Sequence, residues 1–154
     1  RFLLGPLADA TDCGAPVNEA PMHVVVKASF RQLEEWVRTG EAPPEAPRIA
    51  TTGTPATIVR DADGIALGGI RTPPVDVPSE VLTGIPGPNP DLLCILLGST
   101  QPLSQARLAE LYDGPADYLQ RYDAAADAAI GAGFVLDEDR ATLRTFAQPE
   151  RVPG

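Results

Sequence analysis

Histidine is nearly absent from this chain, and that scarcity removes whole classes of chemistry. His23 is the only histidine among 154 residues, so any histidine-dependent mechanism within the chain has a single possible base. The two cysteines, Cys13 and Cys94, are too few for a zinc framework and lack Cys-x-x-Cys spacing. They are either one long-range disulfide or two buried thiols. Spacing alone does not choose, because bridging depends on their Cα atoms coming within about 7 Å. No apolar run approaches the roughly 20 residues of a membrane-spanning helix; the longest, Leu92 to Leu97, has the length of one buried strand. Basic charge is also scarce. Twelve Lys and Arg against 21 Asp and Glu leave a net charge of −9, which repels phosphate backbones and anionic membrane surfaces and disfavours nucleic acid as a partner. The chain starts at Arg1 with neither an initiator Met nor a signal-peptide pattern, which reads as a processed product or a piece of something longer.

Proline and glycine, by contrast, are abundant, filling 31 of the 154 positions. Without a repeating period, that proportion implies long, sharply bent connections between short elements. Hydrophobic residues at 44% and charged residues at 21% are ordinary globular usage and argue against wholesale disorder. A chain of this length suits one unit and can bury roughly 70% of the surface it exposes when unfolded.

Residues 1–20 read as an irregular lead-in with a turn at Cys13-Gly14-Ala15-Pro16. Over 21–38, Met22, Val25, Val26, Ser29/Phe30, Leu33, Trp36 and Val37 recur at helical spacing, opposite Lys27, Arg31, Glu34, Glu35 and Arg38. This spacing predicts an amphipathic helix, capped at its start by Asn18 and stopped by Gly40 and Pro43-Pro44. Residues 55–100 hold three features. Thr57-Ile58-Val59 and Ile65-Ala66-Leu67 flank Asp61-Ala62-Asp63-Gly64 as a β-hairpin, residues 68–90 make an irregular Pro/Gly-rich excursion, and Leu92 to Leu97 is a buried strand or short core segment. Residues 104–147 form a helical group: one helix opened by Ser104, a second started by Gly114-Pro115, and a last one capped by Asp137 and running through Phe146.

Each candidate for chemistry has a plainer structural reading beside it. His23 lies at the start of an amphipathic helix, which favours a structural or rim role and leaves it a weak catalytic candidate. A Ser-His-Asp assembly needs an exposed serine at a Gly-x-Ser-x-Gly turn, and the chain has none; Gly98-Ser99-Thr100 lacks the second glycine and reads as a turn. Asp61-x-Asp63-Gly64 invites calcium, yet the EF-hand pattern would put Val59 and Ile70 at ligand positions, so a hairpin turn is favoured. Gly68-Gly69 is no phosphate loop; it permits close backbone packing. Arg71, held between Gly68-Gly69 and Pro73-Pro74, could fix a carboxylate bidentately. A structural ion pair, with Asp76 a possible partner, is favoured over substrate binding, for which Arg71 is a weak candidate. Trp36 reads as core.

Several segments, taken together and in order, resemble a known group. They are Cys13-Gly14-Ala15-Pro16-Val17-Asn18, Leu33-Glu34-Glu35-Trp36-Val37-Arg38-Thr39-Gly40 with Pro43-Pro44 and Ala46-Pro47-Arg48, Gly68-Gly69-Ile70-Arg71-Thr72-Pro73, Val75-Asp76-Val77-Pro78, and Cys94 with Leu97-Gly98-Ser99-Thr100. From about Cys13 to Ala147 the chain is similar to the carboxy-terminal part of bacterial alpha/beta hydrolase domain-containing proteins, which are secreted or cytoplasmic serine esterases. The resemblance implies that the serine elbow and acid lie upstream and that the catalytic histidine sits on a loop shortly before the Cys-Gly-x-Pro segment, all outside these residues. It makes His23 a poor catalytic candidate and implies that the 21–38 helix packs on a sheet supplied by the rest of the protein. With a cysteine in two of the matching segments, it makes a Cys13–Cys94 pair possible.

The expected architecture is therefore the carboxy-terminal portion of an α/β-hydrolase-like fold, mostly helical with one β-hairpin and long Pro/Gly-rich loops. The expected function is scaffold and pocket-wall duty within a hydrolase of ester or related bonds, without the nucleophile and without cofactor or metal. The expected partner is the remainder of the parent chain, or a second copy through an exposed apolar face; nucleic acid and a membrane span are not expected. The rival reading is a non-enzymatic binding or interaction module.

Overall fold

The structure, a computed structural model, describes residues 12–89 and 92–154. The first eleven residues of the expected lead-in lie outside the described residues. Helix α1, Met22–Thr39, contains neither glycine nor proline. It ends where Gly40 enters the left-handed region at φ 79° and donates its N–H to Trp36 O at 2.8 Å. Its start differs from expectation. Pro21 occupies the N-cap position, and Asn18 folds back locally, its Oδ1 accepting from Ala20 N at 2.9 Å.

Strands β1 (Thr51–Thr52) and β2 (Thr57–Ile58) pair antiparallel. The expected hairpin across Asp61 to Gly64 is reduced to a single bridge, Arg60 with Ala66, closed by Asp61 N–H to Ile65 O at 2.9 Å. Residues 47–50 run beside it, with Ala50 N–H donating to Leu67 O and Gly69 N–H to Pro47 O at 2.9 and 2.8 Å. At this crossing Gly68 has φ 81°, and a Cβ there would lie 2.2 Å from Arg48 O, so no other residue fits.

The expected irregular excursion over 68–90 carries regular structure of its own. Helix α2, Pro73–Asp76, starts on two prolines that need no N–H partners, and β3, Glu80–Thr83, pairs antiparallel with β4, Ser99–Pro102, from Glu80 opposite Pro102 to Thr83 opposite Ser99. Leu92–Leu97 is helix α3 and not a buried strand: Cys94 is fully buried while Leu92 and Leu96 are 80% and 76% exposed. A continuous apolar run of six is compatible with either geometry, and here Cys94 is buried, Leu97 packs beside it, and the opposite side faces outward. The fold therefore has two small antiparallel sheets where one hairpin was expected, and among the described residues no strands pair in parallel.

Helix α4, Gln105–Leu111, starts on Ser104, whose Oγ accepts from Arg107 N at 3.1 Å. Helix α5, Pro115–Gly131, follows Gly114. The single helix expected from Asp137 to Phe146 splits into a 3-10 turn, Asp137–Asp139, and the short α6, Arg140–Arg144. A last 3-10 turn covers Pro149–Arg151.

Among the described residues three separate clusters form the core. The largest joins Val77, Leu108, Val152 and three tyrosines, Tyr112, Tyr118 and Tyr122. Their hydroxyls are all engaged: Tyr112 donates to Pro78 O at 2.9 Å, Tyr122 to Leu143 O at 3.0 Å, and Tyr118 accepts from Gln148 N at 3.2 Å. Burial accordingly pushes the Tyr112, Tyr118 and Tyr122 hydroxyls above their usual range. The second cluster packs Val24 of α1 against Ala126, Ala129, Val135 and Leu143. The third is Cys13, Val17 and Cys94, with Leu97 against it.

Candidate functional site

Helix α1 presents three faces, and the widest apolar one is uncovered. Val24 and Ala28 are its only buried residues, and Val24 packs against Ala126 and Ala129 of α5 and Leu143 of α6. Met22, Val26, Phe30, Leu33, Trp36 and Val37 are all exposed, Phe30 by 68% and Val37 by 81%. At 3.6 residues per turn these six fall within an arc of about 120°, a continuous apolar stripe along the helix. Trp36, expected in the core, is 47% exposed and belongs to this stripe. Periodicity reports that a helix has an apolar side, whereas burial needs a surface to put against it, and within these residues that surface is missing.

The helix is nonetheless held at a fixed angle. Lys27, the only lysine of the chain, places Nζ 2.6 Å from Glu138 Oε1 and 3.0 Å from Asp139 Oδ1. The hydrogen bonds to Glu138 and Asp139 raise the Lys27 pKa above its usual range. Asp139 is buried, and its second oxygen, Oδ2, has no hydrogen-bond partner among the described residues. Gln32 Nε2 adds a contact to Gly133 O at 3.4 Å.

The residues singled out in the sequence do not converge. His23 is exposed on the first turn of α1, its ring 6.0 Å from that of Phe146. Ser99 is buried and its Oγ donates to Ile85 O at 2.8 Å, so its hydroxyl is spent on the turn after α3. Asp61 Oδ1 accepts from Asp63 N and Ile65 N at 3.0 and 2.9 Å. Asp63 takes a two-pronged pair from Arg107, both bonds 2.9 Å. The carboxylates that suggested calcium thus shape the turn and tie it to α4, and no His, Cys, Asp and Glu cluster among the described residues could hold a metal ion. Arg71 pairs with Asp76 through Nε and donates to Ala66 O at 3.0 Å and Val75 O at 3.2 Å, clamping α2 to the preceding turn. Cys13 and Cys94 form a disulfide with Cα atoms 5.5 Å apart, across 81 residues of sequence.

Pairings that join distant segments carried no local signal. Arg107 with Asp63 and Lys27 with Asp139 are each ordinary surface charges when read along the chain. A third such group is Glu80, which accepts from Arg151 Nη1 at 3.0 Å and from Gln148 Nε2 at 3.1 Å. Burial raises the Glu80 pKa despite the arginine, and Glu19 adds to the rise.

A surface cleft of about 420 Å³ between α5 and α6 is lined by Tyr122, Asp123, Ala126, Arg140, Ala141 and Arg144. Its arginines are paired internally, Arg144 with Asp123 and Arg140 with Asp127 and Asp137, so the cleft presents neutralised charge. No helix among the described residues is long and apolar enough to cross a membrane. A protein-family model described as an alpha/beta hydrolase domain matches residues 3–145 of the chain. No curated protein and no solved structure matches it.

Proposed function

The chain belongs to the alpha/beta hydrolase domain family, and from that membership we propose that it is the carboxy-terminal segment of a serine hydrolase acting on an ester or related bond. The observation that carries this reading is the uncovered stripe of α1. An α/β fold is a mostly parallel sheet with helices on both faces. The described residues hold only two two-stranded antiparallel sheets, together with a helix whose apolar side has nothing against it. A parallel sheet from the rest of a parent chain is the surface that Met22, Val26, Phe30, Leu33, Trp36 and Val37 fit.

In this reading the upstream part supplies the nucleophilic serine, which the chain's sequence does not offer at any Gly-x-Ser-x-Gly turn. It also supplies the histidine and acid that activate that serine. The reaction joins water to an ester and yields a carboxylic acid and an alcohol, so it requires no cofactor. The 154 residues contribute scaffold and pocket wall: α1 covers the sheet, and the carboxy-terminal helices brace α1 through Val24 and the Lys27 ion pairs. The buried disulfide supports a secreted or otherwise oxidising location.

A non-enzymatic interaction module is the second reading. It is favoured by the three satisfied tyrosine hydroxyls, which suit a core that closes on its own. The deciding experiment expresses the complete reading frame beside residues 1–154. The hydrolase reading expects turnover of p-nitrophenyl acetate by the complete protein and none by the 154 residues alone. It is overturned by an upstream sequence with no serine elbow, or by turnover in the short chain that disappears in His23→Ala.

A further inference from the structure

The Cys13–Cys94 bond is enclosed. Cys13 and Cys94 are 2% and 0% exposed, and Val17 and Leu97 pack against the pair. Residues 84–89 complete the enclosure by running across the Cys13 main chain. A Cβ on Gly87 would stand 2.3 Å from Cys13 O, and one on Gly14 would meet Pro88 Cγ at 2.7 Å, so the two stretches touch with no side chain between them. This strap is pinned near both ends. Ile85 O accepts from Ser99 Oγ at 2.8 Å, and Asn89 N–H donates to Cys13 O at 3.2 Å.

Thiol–disulfide exchange needs a thiolate to reach one of the two sulfurs, and burial of both cysteines denies that approach while the fold is closed. Cys94 lies within helix α3, and Val17 is next to Asn18, whose N–H donates to Leu97 O at 3.2 Å. The strap, in contrast, belongs to no helix or strand and is fastened by single hydrogen bonds. It is therefore the piece of the enclosure that opens at lowest cost.

We propose that residues 84–89 are a redox gate: a small dithiol cuts the Cys13–Cys94 bond only when this strap lifts, through a local opening of a chain that is otherwise folded. In that step a thiolate of the dithiol bonds to Cys13 Sγ, the S–S bond breaks, and Cys94 leaves as a thiolate that takes up a proton. The second thiol of the reductant then displaces Cys13. The dithiol is oxidised to its cyclic disulfide and both cysteines are left as thiols, so α3 loses its covalent tie to the segment that leads into α1. Survival of the bond in a thiol-containing medium is thus coupled to the seating of one short strap.

The test follows reduction of the complete protein by dithiothreitol, with alkylation of Cys13 and Cys94 read by mass and oxidised glutathione as the uncovered reference. Reduction should be slower than that of glutathione and should not change with urea well below the unfolding transition. Ser99→Ala, which removes the bond to Ile85 O, should speed it about fivefold, the worth of one hydrogen bond. Gly87→Ala, which drives a carbon into Cys13 O, should speed it as well, whereas Ile58→Ser, at an exposed position on β2, should not. The near-ultraviolet tyrosine signal establishes that each variant is folded. Reduction at the rate of oxidised glutathione overturns the proposal, since the bond then has no cover. So does a rate that climbs with urea from the first addition in parallel with global unfolding, and so do folded Ser99→Ala and Gly87→Ala variants reduced at the parent rate.

Discussion

Removing the Cys13–Cys94 bond is the sharpest perturbation of this chain. The bond spans 81 residues. In the chain-entropy account a closed loop of that length removes about 15 cal/mol/K from the unfolded ensemble, or about 4.5 kcal/mol at room temperature. Domains of this size are held by only about 5–15 kcal/mol in total, so the loss is roughly 30% or more of the stability. The Cys13→Ala/Cys94→Ala variant should unfold at a urea concentration about 2 M lower, given a slope of about 2 kcal/mol/M. The closed loop contains α1, both strands of the first sheet, α2 and β3, whereas the tyrosine cluster draws mainly on α4 and α5 beyond it. The near-ultraviolet signal of Tyr112, Tyr118 and Tyr122 in the native variant should therefore match that of the parent. Equal urea midpoints, or two free thiols titrated in the unfolded, unreduced parent, would refute the reasoning.

Two further outcomes are expected. The isolated chain should bind a hydrophobic dye or self-associate through the α1 stripe, and Phe30→Asp/Val37→Asp should reduce both; a monodisperse, dye-silent parent would show that the stripe needs no cover. Burial raises the pKa of Glu80 above its ordinary 4.5, so the native state holds that proton more tightly than the unfolded chain. The associated stability is full below the ordinary value and is lost as pH rises through the raised one. Melting curves between acid and neutral pH should show this decline in the parent and a flatter profile in Glu80→Gln; parallel profiles would count against it.

Local signals in the sequence account for the extent of α1: helical spacing, no glycine or proline from Met22 to Thr39, and Gly40 as a left-handed stop. They do not tell which side is buried. Val24 is an ordinary apolar residue, and nothing near it in sequence announces that Ala126, Ala129 and Leu143 will meet it. The run Leu92 to Leu97 misled for a related reason, since apolar content measures a wish for burial and not its geometry. Asp63 with Arg107 and Lys27 with Asp139, separated by 44 and 112 residues, form only once the chain is folded. The candidate site was least legible of all. Its surfaces are exposed faces, and an exposed face has no signature distinguishing it from a core face until the fold shows where the neighbours stop.

The crossing at Gly68 bears on how sequence variation in this chain should be interpreted. Two stretches of main chain touch there with no room for a single carbon between them. Any relative that keeps this crossing must keep glycine at that position, whatever reaction it performs or has lost. Invariance at Gly68 would thus be a record of volume, carrying no information about catalysis. Variation along the outward stripe of α1 would report instead on the surface that lies against it.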